Sequence, residues 1–185
     1  MRTQVVVILA TDGLPSDIEG YYDDKTKKEF TDALQSLLLL PVWVVVRLCT
    51  DEDRIVEFYN DLDQQLELSL EVLDDFSHEG KEICKHNPWL NYALPLHRCR
   101  EMGYHNRLFD ILDERTLQLD ELREFVILLF GLEEHFDSIP DPQAEWKVFS
   151  SWLSDIVKKQ KELWNPITGK LGPWIDIQTL NEVYN

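Results

Sequence analysis

The sequence predicts an α/β fold: a three-stranded parallel, Rossmann-like half-sheet with flanking helices, followed by a mainly α-helical region. Three observations carry this. Residues 4–10 and 42–48 are short runs of Val, Ile and Leu without polar alternation, the pattern of strands buried on both faces. A long amphipathic stretch separates them, which calls for a right-handed crossover and parallel pairing rather than a hairpin. Beyond Pro88 no comparable β-branched run occurs, and helical periodicity takes over.

Residues 4–10 end in Thr11-Asp12-Gly13 and Pro15, a turn, and read as a central strand of the sheet. Over 24–40, Phe30, Leu34, Leu37 and Leu38 recur at helical spacing against Lys25, Lys27, Lys28 and Asp32, giving the crossover helix. Pro41 stops it and 42–48 forms the second strand. Thr50-Asp51-Glu52-Asp53 then caps a helix that carries Ile55, Val56 and Tyr59 inward. Residues 68–73 read as the third strand and 77–85 as the helix covering its far side. A change of character at 86–88 divides the chain into residues 1–87 and 88–185. In the second part, 90–102 and 106–111 read as short helices separated by Gly103, and 119–130 as an amphipathic helix. A long helix spans 143–164 behind Pro140-Asp141-Pro142, 165–173 is a loop, and 174–184 docks back as a strand or helix.

The chain has 18 basic and 35 acidic residues, a net charge of −17, and no long Lys/Arg cluster. Nucleic acid and anionic membranes are therefore disfavoured partners. The acidity reads first as a solvated, self-repelling surface and second as attraction for cations or a basic partner. Cys49, Cys84 and Cys99 are odd in number and form no CxxC, so free thiols and a cytoplasmic location are expected. The apolar residues behind Arg2 are too few for a signal peptide. No apolar run reaches the ~20 residues of a bilayer span.

Val5-Val6-Val7-Ile8-Leu9-Ala10-Thr11-Asp12-Gly13-Leu14-Pro15-Ser16-Asp17 resembles the fourth strand and following loop of a von Willebrand factor type A domain, and the order of elements after it fits the carboxyl-terminal half of that fold. The resemblance implies that Asp12 belongs to a metal-ion-dependent adhesion site for Mg²⁺. Such a hard cation takes carboxylate and hydroxyl oxygens from loops at the carboxyl ends of parallel strands. Thr50, Asp51, Asp53, Asp74 and Asp75 follow the other two strands and share that rim, so Asp12, Thr50 and Asp51 form the expected metal set. The family's Asp-x-Ser-x-Ser loop has no counterpart here; Asp75-Phe76-Ser77-His78-Glu79 is the nearest stretch and does not match. The loop that contributes a Thr would precede residue 1. Mg²⁺ is thus expected to bind weakly or not at all to this chain alone, and an upstream half-domain or a homodimer partner is the natural complement.

His97 and Cys99 suggest a nucleophile and base, but residues two apart on a helix do not face each other. Arg98, Arg100 and Arg107 read instead as buried or interfacial partners of the many acids. Residues 113–124 carry acids at the ends of a calcium-loop register but Gln118 where the loop needs Gly, so calcium is not expected there. Trp164 and Trp174, flanking the 165–173 loop, are candidate partner anchors. The functional expectation is a non-enzymatic protein-interaction module with Arg98, Arg100, Trp164 and Trp174 as contact residues. The alternative is a metal-dependent hydrolase or phosphotransferase using Asp12, Asp51 and Asp75. An all-apolar strand at 4–10 also demands cover for its free side, first by helices or loops, then by residues 174–177, then by a second copy.

Overall fold

A computed structural model describes residues 5–66 and 70–184. It divides into two compact units, one of Met1–His78 with His97–Tyr104 and one of Glu79–Leu96 with His105–Asn185.

The first unit is the expected α/β sheet. Strands β1 (Val5–Thr11), β2 (Val42–Leu48) and β3 (Leu70–Leu73) are parallel and lie in the order β1-β2-β3. Helices α1 (Asp24–Leu38) and α2 (Asp53–Leu66) supply the crossovers. A reciprocal capping box starts α1: Thr26 N–H donates to Asp23 Oδ1 and Asp23 N–H donates to Thr26 Oγ1, both at 2.8 Å. One sheet face, with Val7, Leu9, Val44, Val46, Leu48 and Leu70, packs on Leu34, Ile55, Phe58, Tyr59 and Leu62. Burying these side chains is the main stabilising contribution, ~1.5–3 kcal/mol for each one fully removed from water.

The opposite face is met by residues 97–104. Here Arg47 Nε lies 2.6 Å from Glu101 Oε1, and Arg100 Nε donates to Glu71 Oε1 at 2.9 Å. Gly103, at φ +79°, sits so close to β1 that a Cβ there would lie 2.5 Å from Val6 Cγ1.

β1 is not the central strand that its composition suggests. β2 takes that place, with Val44, Val45 and Val46 essentially inaccessible, while β1 is the outer strand with Val5, Ile8 and Ala10 exposed. An apolar run without alternation looks the same in a central strand and in an outer one. Only the pairing order separates them. Residues 4, 68 and 69 of the expected strands lie outside the described residues.

The second unit is mainly helical. It holds most of α3 (Phe76–His86), the first residues of α4 (Leu94–Glu101), whose remainder belongs to the first unit, and then α5 (Arg107–Asp110), α6 (Leu119–Phe130), a 3₁₀ turn over Glu133–Ser138, α7 (Trp146–Val157) and α8 (Ile177–Tyr184). Its largest buried side chains include Trp89, Tyr92, Phe125 and Phe149, with Trp89 and Phe109 edge-on to Phe125. Asn87, 0% exposed, ties three backbone groups together. Its Nδ2 donates to the carbonyls of Leu112 and Arg115 at 2.8 and 2.9 Å, and its Oδ1 accepts from Leu117 N–H at 3.2 Å.

Three sequence expectations change here. Residues 90–93 are not helical, because Leu90 bridges Ile175, Asn91 N–H donates to Trp174 O at 2.9 Å and Asp176 N–H to Trp89 O at 2.8 Å. The long helix ends at Val157, and the apolar pair Leu163-Trp164 belongs to β4 (Leu163–Asn165), antiparallel to β5 (Lys170–Gly172). The segment expected as a loop therefore holds half of a hairpin. The final segment is both forms in turn, an extended bridge at Ile175 and then α8.

Candidate functional site

The carboxyl rim of the sheet is where the residues expected to bind metal fall. β1 and β2 run in register, Thr11 opposite Leu48, and Cys49 N–H donates to Thr11 O at 2.8 Å. Asp12 and Thr50-Asp51 therefore leave from the same edge, as parallel topology requires. Asp12 and Asp51 are exposed, while Thr50 is half-buried with its hydroxyl accepting Glu52 N–H at 3.2 Å. Asp75 caps α3, accepting from Ser77 and His78 N–H at 2.8 and 3.3 Å. Two of the rim side chains thus close turns and helix starts. Among the described residues, no three His, Cys, Asp or Glu side chains gather closely enough to hold a metal ion.

Beside this rim lies a cleft of about 370 Å³ lined by Leu9, Thr11, Asp17, Thr26, Phe30 and Tyr59, among others. Its loop is well fixed. Tyr59 Oη donates to Gly13 O at 3.1 Å, Gly13 N–H donates to Thr11 Oγ1 at 3.3 Å, and Asp17 Oδ1 accepts from Glu19 and Tyr21 N–H at 2.9 and 2.8 Å. Burial raises the Tyr59 phenol above its usual range, against a hydrogen bond with Thr11, so it remains a neutral donor at physiological pH. The Tyr59 ring meets Phe58 and Phe30 edge-on, so the ring itself is held in place.

A denser set of charges lies on the other face of the sheet. Glu101, with a side chain 5% exposed, receives Arg47 at 2.6 Å, Arg98 in a close contact and His97 Nε2 at 3.4 Å. Arg100 and Glu71 form a second pair, 5% and 10% exposed. His97 is buried against Phe76, and its desolvation, opposed by Glu101 and reinforced by Arg100, Arg47 and Arg98, lowers its pKa. Cys99 is exposed whereas His97 is enclosed, so the two form no nucleophile and base. Arg100, expected as a buried or interfacial partner of an acid, is buried and pairs with Glu71. Arg98 keeps about half its side chain in solvent while reaching Glu101. The physical cause is the burial of the two carboxylates, which is costly unless cations and hydrogen bonds meet them. Glu71 and Glu101 were not singled out from the sequence; Glu71, one glutamate inside an apolar strand, is the signal that could have found this cluster.

Two exposed apolar surfaces complete the inventory. In the first unit, β1 pairs with β2 on one side and with no other strand among the described residues, and Val5 and Ile8 are 52% and 45% exposed. In the second unit, Trp164 is 53% exposed on the β4–β5 hairpin, whereas Trp174 is half-buried with its carbonyl engaged by Asn91. The fold and these surfaces define an α/β protein with a Rossmann-like parallel half-sheet and a mainly helical second unit. Among the described residues, no helix is long and apolar enough to cross a membrane. Comparison with known proteins gave no match to a family model, a curated protein or a solved structure.

Proposed function

We propose that this chain works by binding another protein, and that the open edge of β1 accepts a strand from that partner. One observation carries the reading: β1 is an outer strand of uncharged, mostly apolar residues, with Ile8 45% exposed. Outer strands are normally protected by Lys, Pro, a bulge or a cover, because a row of unpaired N–H and C=O groups is a template for another chain. Val5–Thr11 contains no charge and no proline and pairs with β2 in unbroken register. Backbone hydrogen bonds would supply the affinity of an added strand, and alternate side chains its specificity. The test is amide hydrogen exchange with a soluble peptide of alternating Val and Thr flanked by lysines. Protection is expected to rise across residues 5–11 and to be lost in Ile8→Lys. Unchanged exchange in β1, with peptide bound or with none bound, refutes the proposal.

A second reading draws on the shared rim. Asp12, Thr50 and Asp51 would form a weak divalent-metal site of the kind a type A domain carries, with the missing oxygens supplied by a partner. Calorimetric titration of Mn²⁺ should then give a weak signal that Asp12→Ala removes. Tight binding by the isolated chain would favour the hydrolase or phosphotransferase alternative, and heat that is unchanged in Asp12→Ala would remove both.

A further inference from the structure

The β4–β5 hairpin offers a second surface, in the other unit, whose chemistry is more specific than that of β1. Trp164 and Leu171 are directly paired across the two strands and therefore project from the same face, 53% and 66% exposed. Ile167, in the connecting turn, is 44% exposed. These side chains are preset rather than floppy. Asn165 Oδ1 accepts the N–H groups of Ile167 and Thr168 at 2.8 and 3.0 Å, and Gly169 N–H donates to Asn165 O at 3.0 Å. Gly169, at φ +64°, lies under the Trp164 ring, where an added Cβ would touch it at 3.9 Å. The turn is also seated on α3, because Pro166 fills the space beside Gly80 where a Cβ would come within 2.9 Å of its Cγ. A fixed, exposed aromatic with apolar neighbours is the usual form of an interaction hot spot, since little conformational freedom is lost on binding.

The charge around this patch identifies the partner. Residues 158–170 contain four lysines, Lys158, Lys159, Lys161 and Lys170, against the single acid Glu162, in a chain whose net charge is −17. All four are exposed. Lys158 lies 3.4 Å from Asp155, and Lys170, next to Leu171 on β5, projects from the other face of the hairpin, so among the described residues of this segment Lys159 and Lys161 remain as the cations available to a ligand. The hairpin and the residues that lead into it are thus net basic in an acidic chain, which matches an acidic segment carrying an aromatic or aliphatic anchor. A second copy of the chain would bring its own charge of −17 to the contact. An anionic bilayer would bring a plane of charge against the acidic remainder as well as the hairpin. A short acidic peptide meets the hairpin alone, because screening confines the interaction to a Debye length of ~8 Å.

We infer that the β4–β5 hairpin binds an acidic linear peptide, with Trp164, Leu171 and Ile167 receiving its apolar anchor and Lys159 and Lys161 its carboxylates. This goes beyond strand addition at β1 and does not depend on it.

The probe is a random dodecapeptide display library selected against the whole chain, followed by titration of the synthesised winner. Enriched sequences should carry an excess of Asp and Glu around Leu, Phe or Trp. Affinity should fall about tenfold or more in Trp164→Ser. It should fall similarly in the Lys159→Glu, Lys161→Glu double variant, and between about 50 and about 300 mM salt. Ile8→Lys should bind as the parent does, which separates this outcome from that of the β1 proposal. All substituted positions are exposed, so an unchanged urea midpoint verifies folding in each variant. The inference is overturned by no enrichment, by enriched peptides without acidic excess, or by peptides indifferent to these variants. Trp164-dependent sedimentation with phosphatidylserine vesicles in the absence of peptide binding would overturn it too.

Discussion

Gly103→Ala should be one of the most damaging single-methyl additions available in this protein, and its size follows from two geometric facts. At φ +79° the residue is in the left-handed region, where a Cβ costs about 1–2 kcal/mol. The added carbon would also lie 2.5 and 2.8 Å from the two Cγ atoms of Val6 and 3.2 Å from its Cβ. Both Cγ distances are far inside van der Waals contact, and relieving such overlap by shifting packed backbone costs about 1–3 kcal/mol. The sum is a loss of about 2–5 kcal/mol, read from urea unfolding followed by far-UV circular dichroism. The two causes separate in a double variant. Val6→Ala removes the Cγ atoms, so Gly103→Ala in that background should lose only the left-handed strain, with a coupling of about 1–3 kcal/mol. A Gly103→Ala loss below about 0.5 kcal/mol, or no coupling with Val6→Ala, refutes the placement of residues 97–104 against β1.

Asn87→Ala should destabilise the second unit by about 2–4 kcal/mol, because it strands the buried Leu112 carbonyl and Leu117 amide and the part-buried Arg115 carbonyl; a urea midpoint within error of the parent would contradict this. Glu121 is held at a pKa of about 2, below its usual 4.5, first by the Arg115 hydrogen bonds at 2.6 and 2.7 Å and further by Gln118 N–H and Arg107. A lowered carboxylate pKa means stability that is complete above about pH 4.5 and is lost as pH falls towards 2. Glu121→Gln should therefore be less stable than the parent at pH 7 and converge with it at the acid end, while parallel pH profiles would exclude the linkage. His97, its pKa lowered from 6.5 chiefly by burial, must gain a proton on unfolding below that value. Its ring protons should titrate below pH 6.5, and a midpoint above it would mean that Glu101 outweighs desolvation.

Most of the first unit was legible in the sequence because its determinants are local. Pro41, the Thr50-Asp51 turn and the period of Phe30, Leu34 and Leu37 act within a few residues, and two strands joined by a long helix can pair only in parallel. The shared rim of Asp12, Thr50 and Asp51 followed from that topology alone. The order of the strands did not, because an apolar run without alternation satisfies a central and an outer position equally until its neighbours are known. Nor did the buried pairs. Arg47 and Glu71 lie far along the chain from Arg100 and Glu101 and become their partners only when residues 97–104 lie on the sheet, which the sequence marks with no more than a glycine at 103 and one glutamate inside an apolar strand. The hairpin marks the same limit at short range. Three-residue strands are too brief to show a period, so the sequence placed Trp164 beside a loop, and only cross-strand pairing with Leu171 and the seat on Gly80 fixed which way its ring faces.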